Sequence, residues 1–374
     1  MSKIKVVHHS KTVGYSGTDR TAQIFSKYLA QGDKYEPFLV YREGDLSNER
    51  LDIAKQWIGE DHVVPYTWVP GRSGRIPPYW PEQDNFGDVI AKIDPQIMHM
   101  HRSGYAEFPV NKNYAPKAKW IETNIFGFND VTKPRQIDFN IYISEFIKDT
   151  ALKAGNKEGP VLYNPIEMPA LDMTQANKLA CRERLLRRFG MPDDAVIMGR
   201  VGRPDNFDPI ALRAMKKAQA ACPQLFYLIV NSCENWRNEV TNLRLENVHW
   251  LPPIIDDSEL SAFYMGLDFY AHARSDGECC PCNIQEAMMH NLAVVSHYSA
   301  IYNGQPEIIE SGGFCVPLGD SEGYAKILQQ LTVSADVRDY FGREARRRAM
   351  RDFEASCVVA KLARIYDWIL NEKN

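Results

Sequence analysis

Phe269-Tyr270-Ala271, then Ser275-Asp276-Gly277-Glu278-Cys279-Cys280-Pro281-Cys282-Asn283-Ile284-Gln285-Glu286-Ala287-Met288-Met289, then Ala293-Val294-Val295-Ser296 follow one another with little between them. The outer two runs are brief and apolar, which reads as short buried strands. A helix begins between them near Cys282-Asn283. The result is a strand–turn–helix–strand unit, with Glu278 in the turn and Glu286 in the first turns of the helix. Both carboxylates are thereby sent toward the carboxyl end of the first strand, where open α/β sheets bind ligands.

The same alternation extends outward in both directions. Ile4-Val7 reads as a strand, followed by the turn Gly14-Tyr15-Ser16-Gly17 and a helix carrying Ala22, Phe25 and Leu29 at helical spacing. Further strands are expected at Pro37-Tyr41, Ile97-Met100, Trp120-Thr123 and Phe139-Ser144. A second α/β series starts after Tyr163-Asn164-Pro165-Ile166, with strands at Val196-Val201, Leu225-Val230, Val248-Leu251 and, past the central unit, Gly313-Pro317. From Val337 onward the chain reads as helix, with Val358, Leu362, Ile365, Trp368 and Ile369 as its apolar residues. The Pro-rich stretch Gly71-Asn85 reads as a long surface loop. A length of 374 residues exceeds one ordinary core. Two α/β halves joined near residue 168 therefore predict paired Rossmann-like domains.

Composition narrows the function. A 44% hydrophobic and 25% charged chain has the balance of a soluble globular protein, and its net charge of −4 excludes the basic footprint of a nucleic-acid binder. Basic runs occur at Arg182-Arg188 and Arg343-Arg348 in helical contexts. They read first as solvated helix faces and second as a peripheral membrane contact. No apolar h-region follows Met1-Val7 and no stretch is long enough to span a bilayer. Eight cysteines in a chain of this length do not form a disulfide scaffold, so a cytoplasmic location is expected, with membrane association as the second reading.

A carboxylate accepts two hydrogen bonds from a vicinal diol, the group that ribose and hexose rings offer. Backbone amides at the helix start can hold a diphosphate. An acidic residue near a helix start also stabilises the helix dipole without any ligand, so the spacing alone leaves both readings open. The surrounding sequence resembles glycosyltransferase family 4 of the GT-B fold. The likeness includes the Glu-x7-Glu element and its continuation through Ala293-Val294-Val295, Pro306-Glu307-Ile308-Ile309 and Gly312-Gly313-Phe314-Cys315-Val316. Gly199-Arg200-Val201-Gly202-Arg203, Asp257-Ser258-Glu259-Leu260 and Tyr163-Asn164-Pro165-Ile166 are similar to other segments of that family.

The resemblance implies two Rossmann-like domains facing each other across a cleft. Residues 1–168, with a C-terminal helix 353–374 crossing back to them, would serve the acceptor, and residues 169–352 would bind the donor. It assigns Glu278 to the donor sugar hydroxyls, Glu286 to the ribose and Arg203 to the diphosphate. Gly14 and Gly17 match a glycine loop at the cleft floor. Cys280, Pro281, Cys282 and Asn283 would line the donor beside the helix start. Three departures from the family stand out. Asp208 occupies the place of a lysine five residues after Arg203, with Arg274 as the substitute cation. Asn124 stands where the family often has a histidine, with His101 as a strand-end alternative. Cys279-Cys280-Pro281-Cys282 replaces an aromatic-glycine pair. The three cysteines read as small fillers of a tight turn, since no second Cys/His pair at zinc spacing accompanies them.

The implied activity is retaining transfer of a hexose-type sugar from a UDP- or GDP-linked donor to a glycan or glycolipid hydroxyl. No cofactor or metal is implied, and no nucleic-acid partner. The alternative is a catalytically impaired, glycosyltransferase-like nucleotide-binding or scaffold protein, kept open by Asp208, Asn124 and Pro281.

Overall fold

Continuous buried apolar runs, the mark of parallel strands covered on both faces, build two separate sheets in this chain. The computed structural model describes residues 2–10, 17–44, 48–70, 81–104, 110–129, 136–204 and 206–372. The chain divides into two compact units, residues 1–165 with 355–374, and residues 166–354.

The first unit begins β1 (Ile4–Ser10), α1 (Gly17–Ala30), β2 (Tyr35–Arg42), α2 (Asn48–Ile58) and β3 (Val63–Tyr66). It continues β4 (Trp68–Pro70), β5 (Pro81–Asp84), α3 (Phe86–Ile93), β6 (Ile97–Arg102), β7 (Lys119–Asn124), β8 (Phe139–Tyr142) and α4 (Glu145–Lys153). Its main sheet has the order β3-β2-β1-β6-β7-β8, and every neighbouring pair is parallel. Successive strand residues point to opposite faces. Thus Val7, Met98 and Trp120 pack with Phe86 and Ile90 of α3. Val6, Ile97 and Ile121 pack on the other side with Phe25 and Leu29 of α1.

The second unit begins α5 (Gln175–Phe189), β9 (Val196–Arg200), α6 (Ile210–Ala218), β10 (Leu225–Val230), α7 (Glu234–Leu243), β11 (Val248–Leu251), α8 (Asp257–Met265) and β12 (Phe269–Ala271). It continues β13 (Gly277–Glu278), α9 (Cys282–Met289), β14 (Ala293–His297), β15 (Tyr302–Asn303), α10 (Gln305–Ile309), β16 (Gly313–Val316), α11 (Ser321–Val333) and α12 (Ala335–Asp352). Its sheet, β11-β10-β9-β12-β14-β16, is also wholly parallel, with Met198, Tyr227, Phe269, Val295 and Tyr324 in the core. The order reverses between β9 and β12, which opens a crevice at their carboxyl ends. Polar caps start the helices: Asp256 accepts from the Glu259 amide before α8, and Ser334 from the Val337 amide before α12.

After α12 the chain returns to the first unit as α13 (Ala355–Asn371). Val358, Leu362, Tyr366 and Ile369 bury there against the α1 face. Tyr35 and Lys34 then fix the helix by bonding Asp367 at 2.5 and 2.6 Å.

Several sequence expectations need correction. Pro81–Asp84, read as part of a loop, is a strand antiparallel to β4, because backbone pairing forms there without any apolar alternation. Residues 71–80 lie outside the described residues. Ser144, read as strand, is the N-cap of α4 and accepts from the Ile147 amide at 3.2 Å. Trp368, read as an apolar helix residue, is half exposed beside the Phe139 ring. Among the described residues no helix is long and apolar enough to cross a membrane.

Candidate functional site

The crevice of the second unit is built from the turn after β9, the turn after β12 and the head of α9. Beyond β12 the chain must fold back within a few residues to form β13. Gly277 makes this turn at φ +73°, and a Cβ there would fall on the carbonyl oxygen of Tyr302. Pairing of Glu278 with Asn303 and a bond from the Glu278 amide to Gln305 Oε1 (3.2 Å) hold the turn in place.

Glu278 has a partner on each carboxylate oxygen. His272 Nε2 lies 3.4 Å from Oε1, and Arg274 Nη1 donates to Oε2 at 3.1 Å. Burial works to raise its pKa, but the His272 bond and the Arg274 charge outweigh it and hold the carboxyl below its usual range. Arg274 is itself forked onto Asp276 at 2.7 and 3.1 Å. Its charge is therefore matched within the site by Asp276 and Glu278, and the three groups together are net negative.

Glu286 projects from α9 and accepts from the Tyr264 hydroxyl at 3.0 Å. Asn283 ties the head of α9 to the turn after β9 by donating to the Val201 carbonyl at 2.8 Å. Pro281 is the N-cap residue of α9 and offers no amide of its own. Cys279 and Cys280 are buried and Cys282 is half-buried, and burial pushes the Cys279 thiol well up. The Glu-x7-Glu element, Arg274 and the Cys280–Asn283 segment thus belong to one strand–turn–helix.

The two arginines at the end of β9 sit in different environments. Arg203 is exposed, and its carbonyl accepts from Arg200 Nη2 at 3.0 Å. Arg200 is the buried guanidinium. It stacks 4.6 Å over the Phe207 ring, and its Nε has no hydrogen-bond partner among the described residues. Burial lowers its pKa, while the Tyr227, Tyr270 and Glu278 groups oppose that. Arg200 has no role among the sequence expectations, although a charged residue closing an apolar strand is the available signal. Asp208 is turned onto α6, where its Oδ1 accepts from the Ile210 amide at 2.8 Å. His272, Gln305 and Tyr264 carried no sequence signal, because each is an ordinary-looking residue within an apolar or turn segment.

The remaining candidates belong to the first unit. Gly14 lies outside the described residues, and Gly17 is the first residue of α1. Asn124 is fully buried. Its oxygen accepts from the Gly127 amide at 2.8 Å and its nitrogen donates to the Phe128 carbonyl at 2.9 Å, so it braces its own loop. His101 is also buried, with Nε2 3.2 Å from His8 Nδ1, and burial lowers its pKa to about 3.

His8, His99 and His101 bring ring nitrogens within 4.8 Å of one another, the one such metal-capable cluster among the described residues. Metal ligation requires lone pairs that converge in the ring planes. The His99 and His101 rings are instead stacked 4.4 Å apart at 24°, and both His99 nitrogens bond hydroxyls, of Tyr366 (2.6 Å) and Thr123 (2.7 Å). The cluster is a packed polar core.

Residues 192–333 match the family model described as glycosyl transferases group 1. No curated protein matches the chain. Among solved structures, the chain is similar to a glycosyltransferase from Rickettsia africae ESF-5, with 16% identity, a TM-score of 0.76 and full coverage of both chains. It is also similar to Anabaena Alr3699/HepE in complex with UDP and glucose, at 16% identity and TM-score 0.70, covering 98% of this chain and 100% of that one. The pneumococcal O-GlcNAc transferase GtfA, in complex with UDP and GlcNAc, is similar at 10% identity and TM-score 0.67 over the whole of both chains. These likenesses establish the α/β fold with two Rossmann-like domains, the GT-B class.

Proposed function

We propose that this chain is a glycosyltransferase whose second unit binds a nucleotide-diphosphate sugar along the β12–β13–α9 element. The observation that carries the reading is the pair Glu278 and Glu286 on one strand–turn–helix, the first held ionised by His272 and Arg274. The match of residues 192–333 to the group 1 glycosyltransferase model supports it. Glu278 would accept from hexose hydroxyls and Glu286 from the ribose. UDP is the first donor base to test, since Alr3699/HepE and GtfA are both solved with it.

Charge on the leaving diphosphate would be neutralised by Arg200 and Arg203 together with the head of α9. Arg200 takes the inner position, because a buried guanidinium with an unpartnered Nε needs an anion more than an exposed one does. We infer a retaining reaction in which the sugar leaves and is attacked on the same face, with the acceptor proton taken by the departing diphosphate. No step of this scheme calls on a metal. The protein's part is positioning and charge stabilisation. The acceptor-side role of the first unit is part of the same proposal, with a glycan or glycolipid hydroxyl as acceptor.

A thermal-shift panel with UDP, GDP, ADP, dTDP and their common sugars tests the reading, run beside Glu286→Ala. A ligand at a hundredfold its Kd adds roughly 2.7 kcal/mol, enough for a visible shift. A shift with one base that Glu286→Ala removes supports the donor site. Binding without transfer or donor hydrolysis would favour a nucleotide-binding scaffold, a reading to which the loss of a cation at Asp208 lends weight. No shift with any nucleotide would sink both.

A further inference from the structure

His272 is the more buried of the two side chains in direct contact with the Glu278 carboxylate. Its imidazole is 2% exposed. Nδ1 lies 2.9 Å from Ser296 Oγ, and Nε2 lies 3.4 Å from Glu278 Oε1. Its backbone is equally fixed, with the amide donating to the Val295 carbonyl at 2.8 Å and the carbonyl accepting from the Tyr324 hydroxyl at 3.0 Å.

Elementary hydrogen-bond chemistry sets the direction of this line. An ionised carboxylate only accepts, so the proton between His272 and Glu278 must sit on Nε2. A neutral imidazole then has a bare Nδ1, which accepts from the Ser296 hydroxyl. The line runs from β14 through the end of β12 to β13, Ser296 O–H to His272 and His272 N–H to Glu278.

We propose that His272, oriented by Ser296, is the positioning residue that turns Glu278 toward the donor sugar. The proposal rests on the donor reading of Glu278 given above. Arg274 alone would not suffice. It meets only Oε2, it sits on a partly exposed turn, and Asp276 competes for the same guanidinium. With His272 on Oε1 as well, each oxygen has one inward lone pair occupied. The outward pair on each is left for one of two adjacent hydroxyls. Without His272 the carboxylate is free to rotate about Arg274, and the geometry for a diol is lost.

Two measurements on the full chain test this. The first needs no ligand: the 15N spectrum of histidine-labelled protein, with the His272 signals assigned from His272→Gln. The expected result is a neutral ring protonated at Nε2 from pH 8 to 6, whose Nε2 shift moves in Glu278→Gln. A ring protonated at Nδ1, or one indifferent to Glu278→Gln, overturns the proposal. Glu278, Arg200 and His297 are the charged and titratable groups acting on this ring, and Arg274→Gln controls for the Arg274 charge on Glu278.

The second compares UDP with UDP-glucose by calorimetry in wild type, His272→Phe, His272→Gln and Ser296→Ala. His272→Phe should leave UDP affinity within about twofold and weaken UDP-glucose about tenfold, the loss of one charge-assisted bond. His272→Gln, which restores an N–H at similar reach, should recover most of that. Equal weakening of both ligands, or no rescue by glutamine, would mean that the histidine only supports the fold. If wild-type protein binds neither ligand, the donor reading fails and takes the sugar half of this proposal with it. The imidazole spectrum still decides whether His272 anchors Glu278.

Discussion

Lowering the pH from 7.5 to 5 should destabilise the first unit through three buried histidines. His101 has a folded pKa of about 3, and burial pushes His8 and His99 well below the usual imidazole range. An unfolded histidine titrates near 6.5. The unfolded chain therefore binds more protons than the folded one below that value, and stability present at neutral pH is lost as pH falls. For His101, at 1.36 kcal/mol per unit over the 1.5 units between 6.5 and 5, the loss at pH 5 is about 2 kcal/mol. His8 and His99 are displaced in the same direction and add to that loss. Urea unfolding followed by the fluorescence of Trp120, fully buried in that unit, reads the loss. In His101→Asn, which keeps a donor and an acceptor but cannot titrate, the loss between pH 7.5 and 5 should shrink by about 2 kcal/mol. An identical pH dependence in wild type and variant would refute the reasoning and return His101 to the list of groups that titrate near neutrality.

Gly277→Ala should destabilise the second unit by about 3 kcal/mol and abolish nucleotide-sugar binding, since the added Cβ meets the Tyr302 carbonyl at a positive φ. Melting temperature and calorimetry read the two effects. Arg200→Gln should weaken UDP about thirtyfold and Arg203→Ala about fivefold, because a desolvated charge interacts more strongly than an exposed one. The reverse ranking would move the inner phosphate contact to Arg203. Tyr35→Phe should cost about 1 kcal/mol by removing the bonds from its hydroxyl to Asp367 and the Ala363 carbonyl, with faster hydrogen exchange confined to α13 as the signature.

The α/β class, the parallel pairing and the strand–turn–helix around Glu278 were legible in the sequence because they depend on local pattern. Short apolar runs such as Leu225–Val230 form strands wherever both faces are covered. The carboxylates at Glu278 and Glu286 were legible for the same reason, being on one continuous βα unit. Arg203 against Arg200 was not. Both are arginines at the end of β9, and the packing of Phe207 against one guanidinium separates a buried cation from an exposed one.

Asn124 and His101 show the same limit from the other side. A polar residue at a strand end looks available for chemistry until its neighbours are known. Asn124 braces the loop to Phe128, and His101 completes a stack with His99 and His8 that draws on two strands and reaches Tyr366 on the last helix. The environment of Glu278 likewise joins His272, Arg274, Ser296 and Gln305, which local periodicity treats as unrelated. Periodicity and capping act within about one turn or one strand, so the sequence by itself determined the elements and their order. Desolvation and hydrogen-bond partners are set by groups distant along the chain, so only the tertiary structure decided which charged side chains are buried and what each of them holds.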